Sequence, residues 1–191
     1  MKRKPIIIVL FILAALAQIA LPASMIIKSE RIETHGIANK LKTAPIDPSD
    51  PFRGRYITLN FFEDEILIDG ESPWESGDEV FVSFENDNEG YAKIKSISDT
   101  RPIDYANYIK TTIFYIRYLK VQNRTRIVVD YPFDRFYMEE SHAPAAERSY
   151  NTQTRDSVVV YGLLMVRDGN YILKDVIYDG QAINDYVRDN K

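Results

Sequence analysis

A run of 23 residues without a charge, Pro5 to Ile27 (PIIIVLFILAALAQIALPASMII), constrains this chain more than any other feature. Gln18 and Ser24 are its only clearly polar side chains. A helix of that length, rising 1.5 Å per residue, spans the roughly 30 Å hydrocarbon core of a bilayer. Lys2, Arg3 and Lys4 precede it, and cations there keep the N-terminus cytoplasmic while the remainder is exported. The expected organisation is a cytoplasmic tail over 1–4, a single-pass anchor in the cell (inner) membrane over 5–27, and an extracytoplasmic domain over 28–191. A cleaved signal peptide is the rival reading, with Ala15-Leu16-Ala17 as its small-x-small site. Ten further, largely apolar residues follow that site and favour the anchor. Pro22 is expected to kink the last turn or to end the helix early.

Composition narrows what the exported part does. Three of the 24 basic residues precede the helix, which leaves 21 against 28 acidic residues, a charge of −7. An acidic domain is a poor partner for nucleic acid or anionic headgroups. The chain has no cysteine, which excludes thiolate catalysis, disulfides and Cys-ligated metals. With two histidines, a metal site is not expected, and no cofactor is expected either. No Gly-x-Ser-x-Gly, P-loop, dinucleotide or His-Glu-x-x-His pattern occurs.

The exported domain reads as mainly β. Ile37 to Lys42 alternates, with Ile37 and Leu41 opposite Lys40 and Lys42. Pro45 to Pro51 is a proline- and aspartate-rich turn region in which no helix runs. Tyr56 to Phe62 is aromatic and β-branched, hence a strand, with Tyr56 and Thr58 on one face and Ile57 and Leu59 on the other. Three hairpins follow: Val80–Phe84 with Tyr91–Ile97, Thr111–Val121 with Thr125–Asp130, and Ser157–Val166 with Tyr171–Tyr178. Ala143 to Tyr150 is the one convincing helical stretch outside the anchor. Pro51 to Tyr56 resembles Pro132 to Tyr137, and the Tyr91 hairpin is echoed at Tyr171. Both offsets are near 80 residues, which suggests a duplicated β unit with lobes at 37–105 and 110–185. Trp74, the lone indole, reads as a plug on the end of a β core rather than as a binding platform.

The most distinctive stretch is Pro51-Phe52-Arg53-Gly54-Arg55-Tyr56-Ile57-Thr58-Leu59-Asn60-Phe61. Two arginines beside a glycine suit a carboxylate or phosphate, gripped by guanidinium and backbone N–H donors. A turn leading into the strand, its arginines paired with nearby aspartates, is the plainer alternative. The run resembles the GDYXXLXY proteins, which are membrane-anchored bacterial proteins. Gly54, Tyr56 and Leu59 match, while Arg55 stands where the family has Asp and Phe61 where it has its second Tyr. Pro45 to Pro48 and Asp50 to Arg53 are similar to the family's lead-in. Arg135 to Glu140 is similar to its Arg-aromatic-aromatic-x-x-Glu block, and Glu147 falls where a later glutamate lies. Asp168-Gly169 and Tyr178-Asp179-Gly180 also fit, so the resemblance covers about 28–185. It implies an anchored protein with a periplasmic domain and no particular reaction.

Three functional expectations result. The first is a non-enzymatic domain that binds a partner, another membrane protein above all, with Arg53, Gly54, Arg55, Tyr56, Arg135 and Tyr137 as candidate contacts. The second is a hydrolase of cell-wall glycan or peptide that divides acid and base work between Glu140 and Glu147. The third is a sensor of an anionic ligand at the Arg53-Gly54-Arg55 turn.

Overall fold

The computed structural model describes residues 3–44, 56–138 and 159–189. The apolar run forms a helix, α1 (Arg3–His35), that continues well past Ile27. It passes through Pro22 instead of stopping there. Just after it, Ser24 Oγ donates to the Leu21 carbonyl at 2.7 Å. From Ile8 the helix is long and apolar enough to cross a membrane, as an anchor or a signal sequence is. Its last turn is amphipathic: Ile32 is buried, and Glu33 pairs with Lys174 at 3.3 Å.

The rest is mainly β, with twelve strands among the described residues: β1 (Ile37–Ala44), β2 (Tyr56–Thr58), β3 (Asn60–Phe61), β4 (Glu65–Asp69), β5 (Glu79–Asn86), β6 (Ala92–Ser98), β7 (Tyr108–Leu119), β8 (Arg124–Asp130), β9 (Arg135–Tyr137), β10 (Val160–Arg167), β11 (Asn170–Tyr178) and β12 (Gln181–Ala182). A short helix, α2 (Ile183–Asp189), follows. One sheet runs β12-β11-β10-β1-β3, a second β4-β8-β7-β5-β6, and β2 with β9 makes a two-stranded ribbon. The second sheet curls until its edges β4 and β6 come within 8 Å, Cα to Cα. One hydrophobic cluster, including Leu41, Leu59, Val82, Phe84, Ile113, Ile127 and Leu164, joins both sheets. Trp74 is partly buried and packs against it.

All three hairpins stand where the sequence pattern puts them, although the third is described only from Val159 onward. Three local expectations need correction. The Tyr56–Phe62 strand breaks at Leu59, because β2 pairs with β9 whereas β3 pairs with β1. Its faces are as expected, with Ile57 and Leu59 buried and Thr58 exposed. In β1 the inward position between Ile37 and Leu41 holds Asn39, and Ile37 itself is 43% exposed at the strand's end. Outside α1 the described helix is α2, which buries Ile183 and Val187 one turn apart. The expected helix at Ala143–Tyr150 and the Pro45–Pro51 turn lie outside the described residues.

The sheets do not follow chain order. β1 pairs with the late hairpin β10–β11, and β7 pairs with the early hairpin β5–β6. Each sheet thus draws strands from both sides of residues 105–110. The two hairpins are built alike: each carries a bulge, between Ser83 and Phe84 in one and between Leu163 and Leu164 in the other, 80 residues apart. Phe84 N–H donates to the Asn107 carbonyl at 3.0 Å, and Leu164 is registered with Asn39. Those two asparagines are buried and hold each other reciprocally. Asn39 Nδ2 donates to Asn107 Oδ1 at 2.7 Å, and Asn107 Nδ2 donates to Asn39 Oδ1 at 2.9 Å. A buried amide must find partners, and here each is the other's.

Candidate functional site

The antiparallel β2–β9 ribbon pairs Tyr56 with Tyr137, Ile57 with Phe136 and Thr58 with Arg135. Strand alternation then sorts the side chains. Ile57 and Phe136 enter the core at 2% and 7% exposure, and the others face outward. Tyr131 and Phe133, stacked at 4.9 Å, belong to the same buried cluster as Ile57 and Phe136, and Leu59 N–H donates to the Asp134 carbonyl at 2.7 Å.

On the outer face the rings of Tyr56 and Tyr137 lie 5.5 Å apart, and the Arg135 guanidinium sits 5.2 Å from the Tyr56 ring centroid. The Arg135 pKa is raised, first by its hydrogen bond to Tyr137 and then by the charge of Asp134, whose Oδ1 is 3.9 Å from Nε. Tyr137 is 67% exposed and Tyr56 half-buried. A planar cation flanked by two phenols recognises carboxylates, carbonyls and apolar edges together, a combination that suits a protein surface.

Of the expected contacts the structure brings together Tyr56, Arg135 and Tyr137. Arg53, Gly54 and Arg55 immediately precede β2 in the chain and lie outside the described residues, as do Glu140 and Glu147. Within the run shared with the GDYXXLXY pattern, Leu59 is a core residue and Tyr56 a surface one. Sequence reasoning missed that Arg135 reaches across the ribbon to Tyr56; the likeness between the two segments was the one signal that they belong together.

Among the described carboxylates Glu63, Asp64 and Asp175 have raised pKa values, each caused first by burial. Glu63 and Asp64 immediately precede β4, and Asp175 lies within β11. Among the described residues no group of three His, Asp or Glu stands close enough to hold a metal ion.

The family model described as GDYXXLXY protein matches residues 18–176, from within α1 to within β11. No curated protein and no solved structure matches the chain.

Proposed function

The chain belongs to the GDYXXLXY family, and from that premise we propose that it is a single-pass bacterial inner-membrane protein whose periplasmic β domain docks on another membrane protein through the β2–β9 ribbon. The observation that carries this reading is the outward cluster of Arg135, Tyr56 and Tyr137 on the ribbon. Arginine and tyrosine dominate binding energy at protein interfaces because they combine large contact area with directed donors. The anchored topology is supported by Lys2, Arg3 and Lys4 just before the apolar run and by the length of that run. The ribbon has donors and aromatic faces, which is equipment for recognition.

The test places a photo-crosslinking amino acid at position 137 in the full-length protein in its native membrane. The expected result is one abundant adduct with an integral membrane protein, reduced at least about tenfold by Arg135→Ala, the loss of roughly 1.4 kcal/mol of binding. Equal adduct yield with and without Arg135→Ala, or no adduct, refutes docking through the ribbon.

A further inference from the structure

The two bulged hairpins differ in what faces their lysines. In β10–β11 the residue left out of register is Lys174, since Leu163 pairs with Asp175 and Leu164 with Leu173. In β5–β6 it is Lys95, since Ser83 pairs with Ser96 and Phe84 with Ile94. Bulges re-aim a side chain away from the pleat's alternation. Lys174 meets a carboxylate, Glu33, on the last turn of α1, the segment that leads into β1. At Lys95 the corresponding segment is 99–107, which leads into β7. It supplies Tyr105, and Lys95 Nζ lies 4.5 Å from the centroid of that ring. The ring is fixed by its O–H, which donates to the Phe84 carbonyl. Among the described residues no carboxylate is within ion-pair distance of Lys95.

Below Lys95 a cavity of about 340 Å³ opens between the outer face of β5–β6 and the 99–107 segment. Its lining is rich in hydroxyls, from Ser83, Ser96, Ser98 and Thr100, with Asp104 on the wall. Ser98 and Thr100 hydroxyls bond each other at 3.0 Å. Ser83 is 3% exposed, and its hydroxyl has no hydrogen-bond partner among the described residues. A buried hydroxyl in that condition is destabilising unless something else bonds it. The volume is at the lower end of the range for small-molecule pockets, the size of one ring and not of a chain of them.

We propose that this cavity binds a small hydroxylated carboxylic acid of the acidic-monosaccharide class. Its carboxylate pairs with Lys95, as Glu33 pairs with Lys174 in the other hairpin. Its hydroxyls bond Ser83 and Ser96 and donate to Asp104. The single cation admits one negative charge, and Asp104 repels a second. The inference does not depend on the ribbon, so either can fail alone.

Isothermal titration calorimetry on the full-length protein in detergent micelles tests it, with sodium glucuronate, glucose and sodium acetate as probes. Glucuronate is expected to bind with a millimolar or tighter Kd, and glucose and acetate at least about tenfold more weakly. Lys95→Met, at an exposed position, is expected to weaken glucuronate about tenfold. Lys174→Met breaks the other lysine's ion pair and is expected to leave glucuronate affinity as it was. No saturable heat with glucuronate up to about 20 mM overturns the proposal. So does acetate binding as tightly as glucuronate, or an unchanged affinity in Lys95→Met.

Discussion

The reciprocal asparagine pair makes a prediction whose size follows from the geometry. Asn39 is fully buried and Asn107 is 5% exposed. Beyond the two bonds between them, Asn39 Nδ2 donates to the Ile37 carbonyl at 3.0 Å and Asn107 Nδ2 to the Phe84 carbonyl at 3.1 Å. In Asn39→Leu, Asn107 keeps its bond to Phe84 but loses both bonds to its twin. One acceptor and one N–H are then stranded, at roughly 1–3 kcal/mol each. A loss of ~3 kcal/mol is expected, which for a chain of this size lowers Tm by roughly 6–12 °C. Asn107→Leu is expected to cost about the same. The double variant strands no amide, and replacing both partners by apolar groups of similar shape is close to neutral. It should therefore be no less stable than either single variant, which gives a coupling energy of at least ~3 kcal/mol. Urea unfolding of the full-length protein in micelles, followed by Trp74 fluorescence, reads all four states of the cycle. If the two single losses instead add to within ~0.5 kcal/mol, the amides do not act as a pair and the reasoning fails.

Two further predictions concern the α1–β1 joint and the half-buried Asp64 carboxylate. A Cβ at Gly36 meets the Ile32 carbonyl oxygen at 2.4 Å and the Val166 backbone N and O at 3.3 Å. Gly36→Ala is therefore expected to cost ~1–3 kcal/mol by forcing backbone apart, and an unchanged Tm contradicts that. Burial raises the Asp64 pKa, so the folded state holds this proton more tightly than the unfolded state. Stability from this group is present below the unfolded carboxylate pKa and is lost as pH rises through the folded value. Asp64→Asn should accordingly raise Tm at pH 7 and leave it unchanged near pH 3, whereas a lower Tm at pH 7 would refute the assignment.

How much of this fold the sequence reveals depends on whether its cause is local. Val80, Val82 and Phe84 alternate because one face of β5 is core, and that period survives in any reading of the chain. Asp168 and Gly169 both take positive φ, at 51° and 83°, in a two-residue hairpin loop that Asp-Gly announces. The break at Leu59 carries no glycine or proline, because it results from two different partner strands, one on each side. In α2 a single buried pair, Ile183 and Val187, is too short a pattern to stand out. The crossed pairing of β1 and β7 has no local signature at all. It depends on contacts such as Asn39 with Asn107, 68 residues apart, and an asparagine in a strand looks like a solvent residue until its twin is found. The site divides the same way. Tyr56, Arg135 and Tyr137 were identifiable as residue types in unusual runs, but their meeting is set by register. Lys95 was invisible, because nothing nearby in sequence marks a bulge.

The crossed pairing also determines how the domain sits on its helix. α1 leads through Gly36 directly into β1, which lies inside the first sheet between β10 and β3. Ile32 is buried, Gly36 N–H donates to the Ile32 carbonyl at 2.8 Å, and Glu33 grips Lys174 in β11. β1 reaches the second sheet through Asn39 and Asn107. The helix is therefore tied directly to the first sheet and, through β1, to the second. From Lys28 to His35 the helix adds eight residues beyond the apolar run, about 12 Å at 1.5 Å each. The headgroup layer on one side of a bilayer is roughly 5–8 Å thick. For an anchored chain the domain then stands just clear of the lipid, in one orientation. A surface held that way meets neighbours in the same membrane repeatedly in a single pose, and so recovers part of the orientational freedom that docking otherwise costs. If the ribbon docks as proposed above, that geometry favours a membrane-embedded partner over a freely diffusing one.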